Sequence, residues 1–151
     1  MYNILAPRYD ELYGEEQEKK LQKIAYAIKG RVLDIGAGTG IVARHFPHVV
    51  SLDPCWEMLQ RAPGEKILGV AEYLPFPAGS FDSIVSLTAL HHTQIGRVVK
   101  ELKRMNAKNM ALTILKRSKK CPNIVFQLQK AFDMEIIEEE KDILLIKQIK
   151  D

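Results

Sequence analysis

Apolar residues follow two alternating rhythms along the chain. From Glu15 to Lys29 the apolar positions Leu21, Ile24, Ala25 and Ile28 recur at helical spacing, and Gly30 stops the pattern. Arg31 to Ile35 is a short apolar strand that runs straight into Gly36-Ala37-Gly38-Thr39-Gly40. Ile41 to Phe46 predicts a short helix ended by Pro47. Val49 to Leu52 predicts a second strand that stops at Asp53-Pro54. Cys55 to Arg61 reads as a short helix closed by Pro63-Gly64, and Lys66 to Val70 as a third strand. Pro75, Pro77 and Gly79 mark a turn-rich connection before a fourth strand, Phe81 to Leu87. Ile95 to Met105 is helical, with Val98, Val99, Leu102 and Met105 on one face, and Met110 to Leu115 is a fifth strand. A last helix spans Asn123 to Phe132. Met134 to Ile137 and Ile143 to Ile146 then make two strands around the charged turn Glu138 to Asp142, a spacing that predicts an antiparallel hairpin.

Strand and helix in alternation predict an α/β fold: a mostly parallel sheet with helices on both faces, finished by an antiparallel hairpin at one edge. The length of 151 residues suits a single domain over 1–151. Composition adds little. The net charge of +3 selects no partner, and 46% hydrophobic with 27% charged residues is ordinary for a soluble globular chain. Cys55 and Cys121 stand far apart, outside any metal-ligand spacing, which suggests two free thiols in a reducing, cytoplasmic setting. No apolar run reaches the roughly 18 residues of a membrane span. Asp10, Glu11, Glu15 and Glu16 argue against a transit peptide.

Chemistry concentrates at the first glycine loop. Glycine removes the Cβ atoms that would keep a ligand off the backbone and permits positive φ in the turn. The helix behind the loop presents unpaired N–H groups. In open α/β sheets ligands bind at the carboxyl ends of the strands, where this loop lies. A ligand-free turn is the plain alternative, and a nicotinamide or flavin site the main rival. That rival fingerprint wants Gly-x-Gly-x-x-Gly, whereas Gly36, Gly38 and Gly40 bring the third glycine one residue early. Asp34 lies inside the strand, two residues before the first glycine, where a carboxylate suits a cationic amine better than a pyrophosphate. Asp53, ending the second strand, can accept both hydrogens of a ribose diol. Its alternative role is a helix cap ahead of Pro54.

These residues resemble a known family. Val32-Leu33-Asp34-Ile35-Gly36-Ala37-Gly38-Thr39-Gly40 looks like the first motif of class I S-adenosylmethionine-dependent methyltransferases, and Ser51-Leu52-Asp53-Pro54 like the second. Ala71-Glu72-Tyr73-Leu74-Pro75-Phe76-Pro77 and Ser80-Phe81-Asp82-Ser83-Ile84-Val85-Ser86 look like the third and fourth. The pattern is similar to the branch of ubiquinone and menaquinone biosynthesis methyltransferases, whose relatives also carry an opening like Tyr9-Asp10-Glu11-Leu12-Tyr13. The resemblance implies a Rossmann-like three-layer sandwich with seven strands in the order 3-2-1-4-5-7-6. It implies S-adenosylmethionine as cofactor, with Asp34 facing its ammonium and Gly36, Ala37, Gly38 and Gly40 wrapping its methionine part. Asp53 and Pro54 would meet the ribose, Ala71 and Glu72 the adenine, and Thr88 with Ala89 the sulfonium. Tyr9 and Tyr13 would contribute to a lid, or else pack on the core. Two departures stand out. Val70 replaces the Asp that often binds the adenine amino group, and Asn106-Ala107-Lys108-Asn109 replaces a Pro-Gly-Gly turn. Glu72 is either a substitute for the missing Asp or a solvated loop carboxylate.

The methyl acceptor is not legible. His91 and His92 are candidate general bases, because imidazole titrates near neutrality; a structural pair is the alternative. Thr88-Ala89-Leu90-His91 stands where amino-methylating relatives carry Asn-Pro-Pro-Tyr. Between Arg97 and Lys120 the only acid among nine basic residues is Glu101, and Lys116, Arg117, Lys119 and Lys120 cluster after the fifth strand. That run suggests RNA or a phosphate-bearing partner, or merely a solvated face. The sequence therefore predicts methyl transfer to a small molecule. RNA or protein methylation and a non-catalytic cofactor-binding module are the alternatives.

Overall fold

The computed structural model describes residues 14–149. The proposed lid residues Tyr9 and Tyr13 lie outside them. Among the described residues seven strands form one sheet: β1 (Val32–Ile35), β2 (Val49–Asp53), β3 (Glu65–Leu68), β4 (Ser83–Leu87), β5 (Asn109–Leu115), β6 (Glu135–Glu138) and β7 (Asp142–Lys147). Their spatial order is β3-β2-β1-β4-β5-β7-β6, as the resemblance implied. The pairs within β3-β2-β1-β4-β5 are parallel, and β7 runs antiparallel to both β5 and β6.

The helices are α1 (14–24), α2 (Ile41–His45), α3 (Trp56–Leu59), α4 (Ile95–Met105) and α5 (Cys121–Ala131). Strand periodicity explains the three layers. Successive side chains point to opposite faces, so Leu33 and Ile35 join Val50, Leu52, Ile84, Met110, Leu112 and Leu145 in one core with α4 and α5 residues such as Leu102 and Ile124. Val32, Val49, Val85, Ala111 and Leu144 point the other way, against Leu21 and Ile24 of α1 and Val42 of α2.

Local chemistry moves several boundaries from their predicted places. The first helix stops at residue 24 and tightens into a 3-10 turn at Ala25–Ala27 rather than running to Lys29. Ser83 holds the exit: its Oγ accepts from the Lys29 N–H and donates to the Lys29 carbonyl. The last helix begins at Cys121 rather than Asn123 because Pro122 sits in its first turn, where a missing N–H costs nothing. Asn106 ends α4 with φ 53°, so a left-handed turn stands in place of Pro-Gly-Gly.

Candidate functional site

A cavity of about 410 Å³ opens at the carboxyl edge of β1, β2 and β4. The connection after β1 forms its floor. The Gly36 and Ala37 N–H groups both donate to the Leu52 carbonyl, which curls the loop over the end of β2. Gly36, Gly38 and Gly40 all have positive φ, at 74°, 58° and 87°. Their neighbours differ. A Cβ on Gly36 would lie under 3.0 Å from the Ala89 Cβ, while one on Gly38 would meet only the Met58 methyl at 3.4 Å. Gly40 does not line the cavity; a Cβ there would strike Ala62 Cβ at 2.6 Å. Gly36 and Gly38 thus shape the floor, and Gly40 lets α2 start against the segment after α3.

Two carboxylates face this loop. Asp34 is buried at 2% exposure, and burial, with Asp53 nearby, raises its pKa to about 8. A carboxyl in that position ionises readily only when a cation enters beside it. Asp53 ties two segments together: its Oδ2 accepts from the Gly38 N–H and its Oδ1 from the Cys55 N–H, each at 2.8 Å. An ionised carboxylate has about four acceptor positions, so both oxygens retain capacity for a diol. Asp53 does not cap α3, whose N-cap is Cys55 without a side-chain bond.

The opposite wall comes from residues 69–72 and the end of β4. Ala71 lines it, buried at 5% exposure. Glu72 lines it too, but its carboxylate accepts from the Gln94 N–H at 3.0 Å, at the N-cap of α4. That bond ties one carboxylate oxygen to α4 at a position open to solvent. Val70 lines the wall with no polar atom to offer beyond its backbone. The wall is held by Glu101 of α4, which accepts from the Leu74 N–H and from Arg97 and Arg104. Arg104 also donates to the Leu74 and Phe76 carbonyls. Arg104, its hydrogen-bonded partner, contributes most to holding the Glu101 carboxyl below its usual range.

Thr88 lines the cavity with φ 51°, a costly conformation for a β-branched residue, and its N–H donates to the carbonyl and Oγ1 of Thr113. The strain places the chain reversal after β4 directly at the cavity. A 3-10 turn at Leu90–His92 follows. His92 lines the cavity and His91 does not; their rings are tilted by 45° to each other with centroids 3.9 Å apart. Burial first, then His92, Lys120, Arg117 and Lys20, lower the His91 pKa, which favours the neutral ring.

Sequence reasoning passed over Gln17 of α1. It lines the cavity at 6% exposure; its Nε2 donates to the Leu87 carbonyl at 3.3 Å and its buried Oε1 has no hydrogen-bond partner among the described residues. The signal was present: Gln17 lies four residues before Leu21, a polar residue on the buried stripe. Lys20, on the same stripe, is buried against Asp142 at 3.4 Å. The basic run from Arg97 to Lys120 does not form one stripe. Arg97 and Arg104 pair with Glu101, and Lys116 with Glu138. Lys108 precedes β5, whereas residues 116–120 follow it, so they lie at opposite edges of the sheet.

A family model for a methyltransferase domain matches residues 33–114. The chain is 34% identical over 113 residues to an uncharacterized protein of Methanocaldococcus jannaschii, covering 69% of this chain and 45% of that one. It is 31% identical over 135 residues to the demethylmenaquinone methyltransferase of Thermotoga maritima, covering 76% and 59%. The chain thus spans about half the length of the curated relatives it matches. Among solved structures, an S-adenosylmethionine-dependent methyltransferase of Thermotoga maritima, described as a possible histamine N-methyltransferase, superposes with a TM-score of 0.77 at 17% identity, over 99% of this chain and 98% of that one.

Proposed function

The chain belongs to the methyltransferase-domain family, with a class I fold and S-adenosylmethionine as its cofactor, and on that premise we propose that it methylates a small-molecule acceptor. The observation that supports this most is the cavity itself. It gathers the glycine loop, two carboxylates and the strained end of β4 around one space. The buried carboxyl of Asp34 fits a cofactor carrying a cationic amine.

In this reading Asp34 faces the ammonium. Gly36, Ala37 and Gly38 follow the methionine part, and Gly40 contributes by seating the helix behind them. Asp53 holds the ribose hydroxyls while still bonded to Gly38 and Cys55, with Pro54 beside it. Ala71 offers its backbone to the adenine. Glu72 acts there mainly by fixing residues 70–73 to α4, so adenine recognition rests on backbone and apolar contacts. Thr88 and Ala89 border the reacting end. When bound, S-adenosylmethionine supplies a methyl group whose bond to sulfur breaks as the bond to the acceptor forms, the electron pair returning to sulfur to give a neutral thioether. The protein's task is then positioning, with the reacting atoms brought within about 3–3.5 Å. A proton leaving an oxygen or nitrogen acceptor goes to the His91–His92 pair, His92 being the ring at the cavity wall. The whole chain acts as one domain, in a reducing cytoplasm that keeps Cys55 and Cys121 as thiols.

Asp53→Ala tests the assignment. Calorimetric affinity for S-adenosylmethionine should fall by about 1.5–3 kcal/mol, the range for a hydrogen bond to a charged group. Unchanged affinity would leave Asp53 as a loop tie only.

A further inference from the structure

We infer that the methyl acceptor is a small molecule with two ends: a hydroxyl or amine that enters the cavity beside Gln17 and His92, and an acidic group that stays at the rim against Arg117 and Lys120. This rests on the methyltransferase reading and adds the acceptor's chemical class.

The inner end is set by Gln17. Its Nε2 is engaged by the Leu87 carbonyl, which leaves the buried Oε1 as an acceptor without a donor among the described residues. A buried acceptor of this kind costs free energy until a ligand O–H or N–H reaches it. His92 lines the same cavity: an amine bonded to Gln17 through one N–H keeps a second proton for that ring to take, and a hydroxyl turns its single proton from Gln17 to the ring as methyl transfer begins.

The outer end is set by charge. The 3-10 turn carrying His91 and His92 packs against α5 and β5. Arg117 and Lys120 act electrostatically on His91 from the connection between those elements. Neighbouring charges are already compensated: Lys20 pairs with Asp142, and Lys116 with Glu138. Arg117, Lys119 and Lys120 are exposed and make no ion pair among the described residues. The first turn of α5 adds to the positive potential, since it contains no acid and its N-cap makes no side-chain bond. An anion fits there. The patch is too small and too separated from Lys108 for a nucleic-acid track, which favours a small molecule.

The test uses the full chain saturated with S-adenosylhomocysteine and follows the His91 and His92 ring signals by NMR. The probes are 4-hydroxybenzoate, 4-hydroxyphenyl phosphate, neutral 4-hydroxybenzamide and a short RNA oligonucleotide. Both ring signals should shift and saturate with at least one of the anionic phenols, the stronger one showing whether carboxylate or phosphate is preferred, and respond about tenfold more weakly to the amide. Arg117→Ala with Lys120→Ala should weaken the anion response about tenfold while affinity for S-adenosylhomocysteine holds. Equal response to the amide, no response to either anion, or an undiminished response in the double variant overturns the proposal. RNA binding more tightly than both phenols also overturns it. Absence of S-adenosylhomocysteine binding is a separate result, and counts against the methyltransferase reading instead.

Discussion

Gly36 and Gly64 share a φ of 74° but have different surroundings, which separates backbone strain from crowding. At Gly64 a Cβ would meet nothing within 4 Å. Gly64→Ala should therefore cost only the left-handed penalty, about 1–2 kcal/mol. Gly36→Ala carries the same penalty plus an overlap: its Cβ would come under 3.0 Å from the Ala89 Cβ, against an ordinary carbon–carbon separation of about 3.5–4.0 Å. The segment at Ala89 must move by more than about an ångström, a rearrangement of the kind that costs about 1–3 kcal/mol in packed interiors. Urea unfolding should then rank Gly36→Ala below Gly64→Ala by about 1–3 kcal/mol. Ala89→Gly in the Gly36→Ala background should restore that excess and no more, because φ strain remains. The cycle also reads on the site, since Ala89 lines the cavity and cofactor affinity should fall with Gly36→Ala and partly recover in the double variant. Equal costs at the two glycines, or no recovery with Ala89→Gly, would refute the claim that Gly36 exists to let the loop touch the turn after β4.

Asp34 predicts a pH dependence. With its pKa at about 8, a ligand bringing a cation must draw a proton off, so affinity for S-adenosylmethionine should rise with pH by up to about tenfold per unit below that value and then level. Asp34→Asn should abolish the slope; an unchanged slope in calorimetry would show that Asp34 does not meet the charge. The ligand-free protein should behave oppositely in urea. The unfolded carboxyl ionises near 3.8 and the folded one near about 8, so stability declines between those values and Asp34→Asn flattens the decline. Glu101→Gln should destabilise by about 2 kcal/mol, since Glu101 is buried between two partly exposed arginines. Its depressed pKa means that contribution is present above the usual carboxylate range and is lost as pH falls through the folded value. A variant as stable as the parent at neutral pH would remove Glu101 as the clamp of the cavity wall.

The glycine loop, β1, β2 and the hairpin were legible because each depends on local chemistry: runs of alternating or apolar residues broken by Gly36, Pro54 and the charged turn before β7. The roles of Glu72 and Gln17 were not. Glu72 is decided by Gln94, 22 positions away, and Gln17 by the Leu87 carbonyl, 70 positions away. The arrangement of the basic run was not legible either. Its charges follow one another in the chain, but the seven-residue strand β5 separates Lys108 from Lys116; Glu138 neutralises Lys116 from β6, which sequence order alone does not bring close, while Glu101 neutralises Arg97 and Arg104 within α4 itself. Gly40 shows the reverse case: a motif glycine whose requirement, contact with Ala62, lies outside the cavity.

Calorimetric titration of the full chain with S-adenosylmethionine and with NADH tests the central claim most directly. The early third glycine and the buried Asp34 predict saturable binding of the sulfonium at one site per chain and none of the dinucleotide. Binding of NADH without binding of S-adenosylmethionine would contradict the account.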